Sequence, residues 1–180
     1  MLAWAIYLSF AGALLEALMP KGKNALARWF ALAVAIGGLA LGVDGFTRGM
    51  GQGRAVLVDL PWVPSMGIHY LLAADGISRV LVLLTGLAAV AGVLFSWNIE
   101  LRTNEFFAFF FALIGGVYGV FLSYDLFLLF VFYEIAIVPK YFLIAIWGST
   151  RREYAAMKLA LYSFAGSAMV LIGLSTRPPD

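Results

Sequence analysis

No cysteine occurs in this chain, and charged residues make up only 12% of it, against roughly 25% in soluble domains. The missing thiols exclude disulfides, cysteine-ligated zinc, iron–sulfur clusters and thiol catalysis. Histidine is nearly absent too. His69 is the single one, so a histidine-based metal site would need ligands from other residues or other chains. There is no phosphate loop, no metal-ligand spacing, no nucleophile constellation and no internal repeat. What is present is apolar: 63% of the residues are hydrophobic and the mean hydropathy is +0.96. This composition defines a polytopic membrane protein.

Six spans are expected, at roughly 2–19, 26–46, 77–97, 106–123, 124–147 and 156–174. Backbone polar groups in lipid must be satisfied internally, so spans are helices or a closed barrel. Continuous apolar runs without strict alternation point to helices. Gly119, Ser123, Tyr124 and Asp125 mark the turn between the fourth and fifth spans. The first span is not a removable signal peptide, because it carries Glu16 and its basic residues Lys21, Lys23 and Arg28 follow it. The positive-inside rule then places the N-terminus outside. The 47–76 connection holds two β-prone runs, 55–60 and 67–72, around a Pro-Trp-Val-Pro turn at 61–64. It reads as an external hairpin on the membrane surface. Trp62 and Tyr70 suit the interface, His69 is a hairpin residue, and Asp75 caps the third span. The chain thus divides into helices one and two (1–46), the external loop (47–76), helices three to six (77–174) and a polar tail (175–180).

Glu134 carries the functional signal. It falls at the middle of the fifth span, YDLFLLFVFYEIAIVPKYFLIAIWG, where a charged residue costs about 2.5–3.5 kcal/mol on insertion scales. Leu or Phe would cost nothing there, and proton handling is the general reason for such an acid. The bland alternative is a neutral acid hydrogen-bonded to a neighbouring helix. Pro139 removes the amide that would bond the Ile135 carbonyl and is expected to kink the helix. Lys140 lies about 240° around the axis from Glu134 at 3.6 residues per turn; it does not share that face, and it can snorkel to the interface. Tyr141 does share the face and is placed beside the same path. Glu16 is expected to reach the headgroups. Gly38 and Gly42, with Ser163 and Ser167, fit helix packing, and the phenylalanines at 106, 107, 109, 110 and 111 are lipid-facing or core filler.

The stretch FVFYEIAIVPKYFLIAIWGS at 130–149 resembles the glutamate-bearing helix of the antiporter-like subunits of respiratory complex I, the M-type or subunit-four-like chain in particular. WVPSMGIHYLLAADGIS at 62–78 is similar to the same family's external hairpin. The likeness runs from about residue 55 to 173. It implies an all-α membrane fold with a short external β-hairpin, part of a fold of about fourteen helices, and an N-terminal portion of a proton-translocating subunit of NADH–quinone oxidoreductase. It implies that Glu134 is the proton-path residue, supported by Pro139, Lys140 and Tyr141. The enzyme is then the whole complex; no redox chemistry and no cofactor are expected in this chain. The implied partners are other membrane-arm subunits, including neighbouring antiporter-like ones, together with the bilayer and protons, and no nucleic acid. The implied location is the bacterial cytoplasmic membrane. The partner lysine of the family's seventh helix has no counterpart, so a fragment, a split gene product or a truncated frame is expected. The alternatives are a membrane subunit of an energy-conserving hydrogenase or multisubunit cation/proton antiporter, and a non-conducting structural helical module.

Overall fold

The computed structural model describes residues 1–20, 22, 24–49, 53–63 and 68–175. Six helices and one hairpin follow in order: α1 (Ala3–Leu18), α2 (Asn24–Gly49), β1 (Ala55–Val63), β2 (Ile68–Ala74), α3 (Gly76–Phe95), α4 (Thr103–Leu122), α5 (Leu126–Trp147) and α6 (Arg152–Ser175). Five of the six helices are long and apolar enough to cross a membrane, and α1, at 16 residues, is shorter. At 1.5 Å per residue α1 reaches about 24 Å, short of a core of about 30 Å. The chain is an integral, mainly helical membrane protein with a small antiparallel hairpin.

The hairpin departs from its expected bounds. The first strand was expected to stop at residue 60, with Pro61 and Trp62 in the turn. Instead β1 continues through both to Val63, with Ala55 opposite Ala74, Pro61 opposite His69 and Val63 opposite Ile68. In a two-stranded sheet both strands are edges, so a proline lacking its amide is tolerated, here beside a register shift between Pro61 and Val63. The expected turn residue Pro64 lies outside the described residues.

Small residues set the helix spacing. α1 packs on α4 and α2, α2 on α3, α4 on α5, and α5 on α6. A Cβ at Gly42 would lie 3.3 Å from the Leu83 Cα, and one at Gly86 would lie 2.8 Å from the Leu39 Cα. α2 and α3 therefore meet backbone to backbone, the packing that small residues permit in lipid. Gly38 accommodates the Tyr118 ring in the same way. The core is filled by Phe107, Phe111, Tyr118, Leu122 and Leu128 over a floor of alanines. The phenylalanine run is thus largely core: Phe106, Phe107 and Phe111 are buried, and Phe109 stacks on Phe142 at 5.0 Å.

The five tryptophans mark both ends of the bundle. At the hairpin end, Trp4 meets Tyr7 edge-on at 5.9 Å and Trp62 meets Phe127 at 6.0 Å. At the opposite end Trp29 meets Trp97 at 5.3 Å, and the Trp147 indole donates to the Leu101 carbonyl at 2.7 Å. Two aromatic belts are what the two membrane–water interfaces select. α6 packs on α5 and turns Leu161, Tyr162, Phe164, Met169 and Ile172 outward, all exposed.

Candidate functional site

Construction of the site begins at the hairpin end, where α5 is fixed at its start. Asp125 is the N-cap: its Oδ1 accepts from the Phe127 and Leu128 amides at 2.8 and 3.0 Å. These are amides that the first helical turn leaves without partners. Its Oδ2 accepts from the His69 amide at 3.4 Å. The Tyr124 amide donates to the Leu71 carbonyl at 3.0 Å, and Ser123 bridges Leu72. The hairpin is therefore stitched to the α4–α5 turn. His69 remains a hairpin residue, its ring 2.9 Å from an Asp59 oxygen.

Asp75 ties α3 into the same junction. It caps α3, as expected, accepting from the Ser78 amide at 2.7 Å and from the Tyr124 hydroxyl at 2.9 Å. The Ser78 amide first, and then the Tyr124 hydroxyl, hold the Asp75 carboxyl below its usual range, while that bond pushes the Tyr124 hydroxyl up. The Arg54 guanidinium lies 5.0 Å over the Tyr124 ring. A carboxyl depressed in the folded state contributes stability above its unfolded value of about 3.9, and that contribution is lost as pH falls through the folded value. Asp75→Asn should therefore flatten the loss of stability on acidification below about pH 4. Asp75→Ala should cost about 1 kcal/mol at neutral pH, as a lost N-cap does. Thermal unfolding in detergent across pH reads both, and an acid limb unchanged in Asp75→Asn would remove Asp75 from the account.

The body of α5 is then seated on α4. Leu128, Phe132, Ala136, Ile137 and Pro139 are its buried residues. Gly116 meets Ala136 and Gly119 meets the Phe132 ring. Glu134 lies two positions from both Phe132 and Ala136, about 200° around the helix, so it projects from the side opposite α4. It is half-buried, and its Oε1 is enclosed with no hydrogen-bond partner among the described residues. Along the axis it sits about 12 Å past Leu126, near the middle of the span. α5 continues through Pro139, which is buried. Lys140 and Tyr141 are half-buried, and Lys140 sits about 9 Å along the axis from Glu134. Tyr141 packs edge-on against Phe142 at 5.4 Å. Of the expected set, only Glu134 and Tyr141 share a face.

Glu16 corrects an expectation. It was placed among the headgroups, yet it is 0% exposed and both its carboxyl oxygens lack a partner among the described residues. The signal was in the sequence: Ser9, Gly12, Ala13 and Glu16 follow the helical i, i+3, i+4, i+7 spacing of the buried stripe of α1. Among the described residues no three His, Asp or Glu side chains come together to hold a metal ion.

Comparison with known proteins agrees with this architecture. Residues 123–176 match the family model described as "NADH:quinone oxidoreductase/Mrp antiporter, TM". The chain is similar to NAD(P)H-quinone oxidoreductase chain 4 1 of Synechococcus sp. (strain JA-3-3Ab), at 42% identity over 161 residues, covering 87% of this chain and 30% of that protein. It is also similar to chain 4 1 of Synechococcus elongatus, at 36% identity over 170 residues, covering 93% and 32%. It thus spans about a third of the length of these relatives. Among solved structures, a chain of respiratory complex I from Thermus thermophilus with bound NADH shares the fold at a TM-score of 0.80 and 24% identity, covering 93% of this chain and 33% of that one. A chain of the archaeal membrane-bound sulfane sulfur reductase does so at 0.79 and 22%, covering 96% and 36%.

Proposed function

We propose, from the premise that this chain is a subunit-four-like part of the antiporter-like membrane subunit family, that it contributes a mid-membrane proton carrier, Glu134, to a proton half-channel of an NADH–quinone oxidoreductase. One observation carries the reading. A carboxyl stands at mid-span on a helix fixed at both ends, with one oxygen enclosed and unpartnered and the side chain turned away from α4. Inside a membrane such a group is expensive and is retained for ion or proton handling. Tyr141 lies on the same side and extends the polar path, while Lys140 adds a cation one turn and a half further on. Pro139 leaves the Ile135 carbonyl without its helical donor, free to receive a water or a hydroxyl. The catalytic unit is the assembled complex, and this chain supplies proton transfer, with no cofactor of its own. Other membrane-arm subunits, neighbouring antiporter-like ones among them, are its partners. Proton pumping by the assembled complex carrying Glu134→Gln tests the reading.

A second reading keeps the proton role in another assembly, since the matching family description joins quinone oxidoreductases with Mrp antiporters. Vesicle acidification driven by an imposed cation gradient, and insensitive to NADH, would favour it.

The orientation follows from charge. Arg102, Arg151 and Arg152 lie at the end away from the hairpin, which the positive-inside rule assigns to the cytoplasm of a bacterial inner membrane. The chain has no cysteine, so single-cysteine labelling is clean. An impermeant thiol reagent should reach Gln52→Cys from outside intact cells and Ser149→Cys only from the cytoplasmic side. The reverse pattern would invert the orientation.

A further inference from the structure

We infer that Glu16 is a second intramembrane proton-binding site, closed off by α1, α2 and α4 and opening toward the α1–α2 end of the bundle. It is separate from Glu134 and stands whether or not Glu134 carries protons. Three observations lead to it. First, Glu16 is 0% exposed, and neither oxygen has a partner among the described residues. An ionised carboxylate buried without a partner is prohibitively costly, and such a group takes up a proton instead. Second, the enclosure belongs to this chain. Gly12, one turn earlier on the same face, would place a Cβ 2.8 Å from Val34 of α2, and the neighbouring Phe10 ring lies against Gly115 of α4. Glu134, by contrast, stands half-exposed, so other subunits can set its charge. Glu16 leaves no surface for them to reach.

Third, the nearest charged and amide groups lie on one side. Toward the hairpin the buried stripe of α1 is Ala13, Gly12, Ser9 and Ile6, and the Ser9 hydroxyl is already committed to the Ala5 carbonyl. α4 offers Phe107, Phe111 and Ile114 at those levels and, further toward the hairpin, Tyr118, whose buried hydroxyl lies against Gly38 of α2 with no partner among the described residues. Toward the other end, Glu16 is about 3 Å from the last residue of α1. There the Asn104 amide donates to the Met19 and Pro20 carbonyls at 3.2 and 3.3 Å. Arg28 of α2 donates from one terminal nitrogen to the Ile99 carbonyl at 3.2 Å, while its Nε is buried with no partner among the described residues. The other described charges at that end are the Arg102–Glu105 pair at the start of α4, Glu100 in the preceding loop, and Arg151, Arg152 and Glu153 at the start of α6. This end, about 3 Å along the axis from Glu16, is therefore the shorter route for a proton to Glu16.

Infrared spectroscopy of the full chain in lipid at neutral pH tests this in the Glu134→Gln background. A neutral-carboxyl band should be present, should vanish on adding Glu16→Gln, and should shift to lower frequency on transfer to heavy water while the chain stays folded. Glu16→Met serves in place of Glu16→Gln if the glutamine variant fails to fold. Loss of carboxylate intensity instead would show an ionised Glu16, paired with Arg28, and overturn the inference. A neutral band that heavy water never shifts would show a sealed acid and overturn it equally.

Discussion

Replacing Glu134 by glutamine should leave the complex assembled and should lower the rates of proton pumping and of the electron transfer coupled to it by at least about tenfold, since a positioned proton-transfer group is worth ~10²–10⁴ in rate. The shape argument makes the comparison clean. Glutamine fills the same half-buried space on the outward side of α5 and can still hydrogen-bond, but it cannot release a proton. The α4–α5 seat, which runs through Phe132, Ala136 and Pro139 on the other side, is untouched, so assembly should survive. Glu134→Asp should be milder, because it shortens the reach and keeps the titrating group. Inverted membrane vesicles give the measurement as the rates of acidification and of NADH oxidation, together with their ratio. Full pumping by the glutamine variant would reduce Glu134 to a packing residue and revive the structural-module alternative.

Gly116→Val should produce the largest structural loss. A Cβ at Gly116 would stand 2.9 Å from the Ala136 Cβ and 3.0 Å from its Cα. The clash is with backbone, so no rotamer change relieves it, and α4 and α5 must separate. Overpacking of this kind costs about 1–3 kcal/mol, while the helix-propensity gain over glycine is only a few tenths. At about 2–4 °C per kcal/mol for a chain of this size, Tm in detergent should fall by several degrees. Gly116→Ala should fall at the low end. Ala136→Gly should rescue it, because the two substitutions share one contact and must couple. Equal losses in the single and double variants would show that another contact sets the α4–α5 spacing. Because α5 carries Glu134, Gly116→Val should also impair pumping, which links this packing to the proton path.

Much of the fold was legible because lipid is an unforgiving solvent for backbone. Every span must close its own hydrogen bonds, so the apolar runs alone placed six helices, and the turn fell at Ser123, Tyr124 and Asp125 as expected, while Gly119, also read as turn, lies inside α4 where its missing side chain admits the Phe132 ring. Asp75 as a cap was legible from its place before Gly76 and Ser78, since the carboxyl needs only a local amide. The hairpin was legible from its β-prone runs, but Pro61 was read as turn; pairing with His69 depends on which edge the proline presents, a matter of register.

The sequence by itself determined that this is a helical membrane protein with an acid at the middle of its fifth span. Which neighbour each acid-bearing face would meet was decided only by the tertiary structure. Glu134 turned away from α4, and Glu16 was drawn from the expected headgroup region into a closed interface. The reason is physical: in water the buried face of a helix is the apolar one, but lipid tails are as apolar as leucine, so hydrophobicity no longer distinguishes inside from outside. Close approach at Gly12, Gly116 and Gly119 sets the faces instead, and that fit exists only once the helices have met.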